Sequence, residues 1–509
     1  MSMVEDWNKA KCIGESIGDS YLSRREFFTQ YLKNENPLNI PLLPIQQASV
    51  SNIAALGHGH IWDDMGLGKT AQALAIGVLL EESPVLIFCP NNIKAVWKQE
   101  ILKFTDTSEK QIFTGGGVDL ISLTPTLTRK YRYLIFNYEA LMVAIKSLKD
   151  KIPKVIETCR YHILDEAHNM RNADTYRCIA YLTYIENTSP HVVTLSGTPI
   201  DRCINELWPY LAMSAYSHPG TFMDFVGYYP NLASFSDRYA IAKVVHGDGN
   251  DIYRSYNKQM FHEIPNIIGM RAVRREISDV VEMPPLKDEN IFIPDHLFQI
   301  DMEQACKDFA RAFAMIHSVV KNENAYNKGD MAKLGNVFLA RVQKMRVALA
   351  MEKLEFTEKT LLANIKQGHK CIVFSEFRMP VYELSEKLQK LEIPSVVVTG
   401  DLKSFERDEQ LKQFKNGDVD ILIGTYGSLS EGENLQICTN MILNDISWQP
   451  LVMKQAKRRI WRIGQSKPCE IYTMLCNADK TVYDVVVGKW QMVDALNYEL
   501  KKLRGIYAF

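Results

Sequence analysis

The sequence predicts an α/β protein built from two parallel sheets in tandem, each covered by helices on both faces and carrying helical insertions. Three observations point to this. Short apolar runs of strand type alternate with helix-compatible segments, first over residues 59–195 and again over 371–444. Polar clusters follow the ends of these runs, where ligands bind in open α/β sheets. A glycine-bearing turn, DDMGLGKT at 63–70, lies between one such run and a helix.

Taken in order, residues 1–36 are mixed and polar, with Phe27, Phe28, Tyr31 and Leu32 spaced for one amphipathic helix. In LLPIQ at 42–46, the amide of Gln46 offers both a donor and an acceptor, as an adenine edge requires. An apolar run at 59–62 enters the glycine turn, and a helix-compatible run at 71–80 leaves it. Strand, turn and helix in that order make a phosphate cradle, because backbone N–H groups and the helix N-terminus point together at an anion. The backbone of Gly66, Leu67 and Gly68 would line the cradle, Lys69 would reach the β- and γ-phosphates of ATP, and the Thr70 hydroxyl would ligate Mg²⁺. Asp63 stands where the generic pattern has its first glycine.

Further strands are expected at 84–89, closed by Pro90, and at 133–136, ending on Asn137, Tyr138 and Glu139; a helix at 92–104 contains Trp97. A run at 160–164 leads into Asp165, Glu166, Ala167 and His168. A carboxylate at a strand end can hold Mg²⁺ through water and the next can deprotonate the attacking water, which assigns Asp165 to the metal and Glu166 to the catalytic base. DEAH by itself could be a helix start favoured by the dipole. Its pairing with Lys69 and Thr70 favours the nucleotide reading. A run at 192–195 ends the first series, before SGTP at 196–199.

The segment 205–269 is rich in aromatics, including Phe222, Phe225, Tyr228, Tyr229, Phe235 and Tyr239; with apolar neighbours these favour core packing over base stacking. Met283, Pro284 and Pro285 break the chain. Helical patterns follow at 297–320 and 337–365, and a second sheet is expected to begin at 371–374, followed by Ser375, Glu376 and Phe377, with strands at 395–399, 421–424 and 441–444. No second glycine cradle accompanies it. The expected division is an extension at 1–36, an ATP-binding lobe at 37–283 and a second lobe at 284–509.

At 509 residues the chain suits two to four domains. Hydrophobic residues at 46% and charged residues at 23% exclude disordered, collagen-like and coiled-coil classes. The net charge of −1 requires any basic footprint for nucleic acid to be local. Ten cysteines without a CxxC pair predict free thiols in a reducing compartment and no zinc. With no signal-peptide core and no apolar run of the roughly eighteen residues a membrane span needs, an intracellular protein outside the membrane is expected, in cytoplasm, nucleus or a virus-infected cell.

The order LxPxQ at 42–46, DxMGLGKT at 63–70, the block at 87–97, DEAH at 165–168 and LSGTP at 195–199 resembles the Swi/Snf-type DNA translocases of helicase superfamily two. The stretch MRAVRREISDVVEMP ending at Pro284 resembles that family's double-arginine segment, and QAKRRIWRIGQ at 455–465 its last motif, QxxxRxxRIGQ. The resemblance covers roughly residues 40–490. It implies two RecA-like lobes, ATP in the cleft between them, a helical protrusion within 205–269, and movement along double-stranded DNA through phosphate contacts of weak sequence preference. Arg459 and Arg462 are three apart, so on one helical turn they share a face. Spacing alone would suit a solvated basic helix, with Lys454, Lys457, Arg458 and Lys467 in the same stretch. The resemblance makes them arginine fingers, whose charged planar forks neutralise developing γ-phosphate charge. Residues 91–94, 137–139 and 424–435 correspond to the family's DNA-facing motifs. A monomer is expected, with room for a DNA-processing protein partner.

Three departures stand out. GTYGSLSEGENL at 424–435 replaces TRAGGLGxNL, Trp461 stands where histidine is common, and Asn169, Met170, Arg171 and Asn172 replace the commoner sequence after DEAH. None removes a residue needed for hydrolysis. The rival readings are a strand-separating or strand-annealing helicase on the same motor, and a nucleotide-gated binding factor docking on a polymerase.

Overall fold

The computed structural model describes residues 17–148, 151–200, 204–217, 240–245, 251–256, 271–277, 282–305, 342–429, 435–447, 450–462 and 464–479, with isolated positions at 264, 268, 280, 307 and 340. The chain divides into two compact units, changing from one to the other between Val281 and Glu282.

In the first unit, β1 (Gly59–Ile61), β2 (Val85–Cys89), β3 (Ile112–Thr114), β4 (Tyr133–Asn137), β5 (Tyr161–Asp165), β6 (His191–Leu195) and, further along the chain, β9 (Ala272–Val273) form one parallel sheet in the order β3-β4-β2-β5-β6-β1-β9. Alternate residues of each strand enter opposite cores. Val85, Ile87 and Cys89 face one core with Ile135, Ile163 and Leu195. Leu86 and Phe88 face the other with Leu134, Phe136 and Leu164. Burial on both faces is why these strands read as unbroken apolar runs. The first core is closed by helices Ile17–Asn34, Pro44–Leu56, Lys69–Leu79 and Lys94–Phe104, through Phe28, Leu32, Ile53, Leu74 and Trp97. The second is closed by Glu139–Leu148, Tyr176–Thr188 and Trp208–Ser217, through Leu141, Tyr181 and Leu211. The expected N-terminal amphipathic helix is Ile17–Asn34, and its Tyr21 hydroxyl bonds the Asn52 side chain.

The helical protrusion expected within 205–269 is corrected in part. After the helix Trp208–Ser217, β7 (Ala240–Val245) and β8 (Asp251–Tyr256) pair antiparallel, with Lys243 opposite Tyr253. Phe222, Phe225, Tyr228, Tyr229, Phe235 and Tyr239 lie outside the described residues.

The second unit holds a parallel sheet in the order β10-β15-β14-β11-β13-β12, made of β10 (Leu286–Phe292), β11 (Cys371–Ser375), β12 (Ser395–Val398), β13 (Ile421–Thr425), β14 (Asn440–Leu443) and β15 (Cys469–Leu475). It therefore begins at Leu286 and not at 371, which corrects the sequence reading. LKDENIF escaped notice because β10 is an edge strand whose charged residues stay in water. The central strands again alternate between two cores, Ile372 and Phe374 in one, Cys371 and Val373 in the other. Helices Leu354–Lys366, Arg378–Lys390 and Ser404–Asn416 follow the expected alternation. The sidechains of Lys353 and Asp479 form a buried ion pair, whose ammonium also donates to the Met474 carbonyl at 3.2 Å. Among the described residues no helix is long and apolar enough to cross a membrane.

Candidate nucleotide site

All the polar clusters of the first unit stand at the C-terminal ends of its strands: the glycine turn after β1, Asn137 on β4, Asp165 on β5 and Ser196 after β6. Their gathering follows from a parallel sheet, in which every strand ends on the same edge.

The turn enters the helix Lys69–Leu79 through Gly66 at φ 87° and Gly68 at φ 70°. Left-handed backbone favours glycine, and a Cβ on Gly68 would also lie 2.4 Å from Nε2 of Gln46. Gln46 is itself buried: its Oε1 accepts from the Leu43 N–H at 2.9 Å and its Nε2 donates to the Leu67 carbonyl at 3.0 Å. To read a base edge the amide would exchange these bonds. Lys69 folds back, its Nζ donating to the carbonyls of Asp63 at 3.0 Å and Asp64 at 3.2 Å. Thr70 is half-buried in the first turn of the helix.

Asp165 ends β5 among three hydrogen-bond donors. Trp97 Nε1 donates to its Oδ2 at 2.7 Å, the Glu166 N–H donates to its Oδ1 at 2.8 Å, and the Tyr138 hydroxyl donates to its carbonyl at 2.7 Å. Burial first, and then the Glu166 carboxylate, push the Asp165 pKa up to about 7, while the Trp97 bond and the Lys69 charge pull it down. Glu166 has φ 48°, uncommon for a residue with a side chain, and its Oε2 lies 3.2 Å from His168 Nδ1. Gly197 approaches Met65 closely enough that a Cβ would lie 3.1 Å from its Cγ, so the loop after β6 packs on the glycine turn.

These groups fit magnesium-bound nucleotide. The cradle supplies backbone N–H groups, one ammonium and one hydroxyl, and the adjoining Asp165 carboxylate, whose pKa burial and Glu166 raise, is a group whose charge a divalent cation would favour. Sequence reasoning gave no role to two members of this neighbourhood, Trp97 and Arg275, the second within the double-arginine segment. Arg275 lies against Asp63, its Nε donating to Oδ1 at 3.0 Å. Neither contact has a local sequence signal.

On the same edge, Lys94 Nζ donates to the Gly115 carbonyl at 2.8 Å and to Asn137 Oδ1 at 3.3 Å, and Asn137 Nδ2 donates to Glu139 at 2.7 Å. The two first-unit segments expected to face DNA thus meet in one cluster. Burial lowers the Lys94 pKa.

In the second unit the helix carrying the basic motif is Pro450–Lys457, so Arg459 and Arg462 fall beyond it, in the turns that follow. The expectation that they share a helical face is corrected: Arg459 is buried, its carbonyl accepting from the Leu435 N–H at 3.2 Å, and Arg462 is half-buried, its carbonyl accepting from the Gln465 N–H at 3.0 Å. In these turns Trp461 donates to the Pro284 carbonyl at 2.8 Å, with the Arg458 guanidinium 4.7 Å from its ring centre. Gln465 ties the turn together, donating to the Gln436 carbonyl at 3.0 Å and the Ile460 carbonyl at 3.1 Å. Of the segment 424–435, residues 430–434 lie outside the described ones.

Residues 50–339, more than half of the chain, match the SNF2-related domain, and residues 352–464 match the helicase conserved C-terminal domain. The chain belongs to the SNF2-related family. Among its relatives, the SWI/SNF-related matrix-associated actin-dependent regulator of chromatin subfamily A-like protein 1 of Xenopus tropicalis is 24% identical over 475 residues, 89% of this chain and 45% of that protein. The DNA annealing helicase and endonuclease ZRANB3 of Mus musculus is 23% identical over 493 residues, 94% of this chain and 43% of that protein. This SNF2-related chain thus spans less than half the length of these curated relatives. The solved Sulfolobus solfataricus SWI2/SNF2 ATPase core in complex with dsDNA aligns over 92% of this chain and 98% of that one at 18% identity, with a TM-score of 0.37, too low to bear on function.

Proposed function

We propose that this SNF2-related protein is an ATP-driven translocase on double-stranded DNA that remodels DNA or protein–DNA complexes. The observation that carries the reading is the convergence of Lys69, Thr70, Asp165 and Glu166 at one sheet edge, with Asp165 poised near neutral pH. Bound magnesium-ATP would supply the phosphoanhydride and the Lewis acid. Lys69 would leave the Asp63 and Asp64 carbonyls for the terminal phosphates, Thr70 and Asp165 would hold the metal, and Glu166 would take a proton from the attacking water. Arg459 and Arg462 of the second unit neutralise charge developing on the γ-phosphate, and residues 37–283 and 284–509 act as the two lobes of the motor. Lys94 and Asn137 offer a polar contact to the nucleic-acid backbone, which gives binding with weak sequence preference and a fall in affinity as salt rises.

ATP turnover measured without nucleic acid and with single-stranded DNA, duplex DNA and RNA tests the reading; duplex DNA is expected to stimulate most. In parallel, the protein should displace a triplex-forming strand and leave a plain forked duplex paired. The mouse relative's name, a DNA annealing helicase, makes strand annealing the second reading. ATP-dependent pairing of coated complementary strands without triplex displacement would select it, and turnover indifferent to every nucleic acid would reject both.

A further inference from the structure

The glycine turn contains a carboxylate, Asp63, that is fully buried within it. Its partner arrives from 212 residues away: Arg275 donates Nε to Oδ1 at 3.0 Å and Nη2 to Oδ2, on the segment that follows β9. The same guanidinium donates to the Ile45 carbonyl, the Ser49 hydroxyl and, at 3.3 Å, Oε1 of Gln72. Gln72 in turn donates to Asp63 Oδ2 at 3.1 Å and to the Leu67 carbonyl at 3.3 Å, the carbonyl that also takes the Gln46 amide. The backbone joins in, with the Asp64 N–H donating to the Arg275 carbonyl at 2.8 Å. One arginine therefore fastens the turn, the helix Lys69–Leu79 and the helix Pro44–Leu56 together, beside the two carbonyls that hold Lys69.

We propose that Arg275 is a positioning residue of the nucleotide site: it neutralises Asp63 and fixes the backbone from which Lys69 and the Gly66–Gly68 amides receive the phosphates. The inference rests on the assignment of this turn to ATP. An uncompensated buried carboxylate beside a polyanion opposes its binding, whereas an uncompensated guanidinium does not. The two halves of the pair thus differ in the sign of their effect on nucleotide, a difference that a pair serving only the fold would not show.

The test compares the intact chain with Arg275→Ala, Arg275→Lys, Asp63→Asn, the double variant Asp63→Asn/Arg275→Ala, and Lys69→Ala, each read by equilibrium binding of magnesium-ATP, by KM and kcat, and by thermal unfolding. Arg275→Ala should weaken ATP binding and raise KM by about tenfold or more, as one unneutralised charge implies. The double variant should recover binding to within about threefold of the intact protein, although its melting temperature stays low, because the charge has gone while the brace has not returned. Asp63→Asn should bind ATP more tightly than Arg275→Ala. If Arg275→Ala does not fold, Arg275→Lys, which keeps the charge without the fork, should hold KM within about tenfold. Wild-type KM in Arg275→Ala, a double variant no better than it, or an Arg275→Lys that loses ATP beyond tenfold would overturn the proposal. If the intact chain binds no ATP, or Lys69→Ala binds it equally well, the site assignment falls and this inference with it. If Lys69→Ala loses ATP and Arg275→Ala does not, only this inference falls.

Discussion

Trp97→Phe isolates one hydrogen bond at the candidate site. The phenyl ring keeps the aromatic burial of a side chain only 2% exposed, and the substitution removes the Nε1–H that reaches Asp165 Oδ2 at 2.7 Å. A donor to a charged acceptor contributes about 1.5–3 kcal/mol, which for the carboxylate is about one to two pKa units. The Asp165 pKa stands at about 7 because burial and Glu166 raise it against this bond. Without the bond it rises further, and the ionised share near neutral pH falls. On the proposed assignment Asp165 holds Mg²⁺ as a carboxylate, so magnesium-ATP affinity should drop by up to about 10- to 100-fold at pH 7, the size of the lost hydrogen bond, and recover as pH rises. Titration of a fluorescent ATP analogue with magnesium from pH 6.5 to 9 measures both ends. Equal affinity of variant and parent at pH 7, or a deficit unchanged at pH 9, would refute the link from Trp97 through Asp165 to the metal.

Arg462→Ala should slow ATP hydrolysis on duplex DNA about a thousandfold or more while leaving initial nucleotide binding nearly intact, as loss of a fixed transition-state charge does; stopped-flow binding beside steady-state turnover decides, and near-normal turnover would leave Arg459 as the remaining candidate. Acid should destabilise the first unit through two buried histidines. His60, held between Thr194 and Ser214, and His162, between Tyr181 and the Cys159 carbonyl, both have pKa values pushed down to about 3, chiefly by burial. Their folded values lie below the unfolded one, so the unfolded chain takes up protons first and stability is lost as pH falls from about 6.5 toward 3, by up to about 1.4 kcal/mol per pH unit for each. Chemical unfolding at pH 6.5 and 5.5 should show a smaller loss in His162→Gln than in the parent, and identical losses would contradict the assignment.

The sequence by itself determined β2, β4, β5, β6, β11, β13 and β14 to within a residue or two, because a strand buried on both faces must be apolar throughout, and that property is local; β15, inside the second sheet between β10 and β14, escaped because Glu470 and Thr473 interrupt its apolar run. It also located the glycine turn, where left-handed backbone at Gly66 and Gly68 demands glycine, and the carboxylates that close β5. What it could not supply were partners. Trp97 meets Asp165 and Arg275 meets Asp63 only because the order β2-β5-β6-β1-β9 brings those strand ends to one edge, and strand order is settled by packing over the whole sheet. The edge strand β10 escaped for the complementary reason: it keeps its charges in water and so carries no apolar run. Helical spacing misled at Arg459 and Arg462, which lie past the end of the helix at Lys457; the contacts of that turn, Trp461 with the Pro284 carbonyl and Gln465 with the Gln436 carbonyl, are tertiary and leave no mark on periodicity.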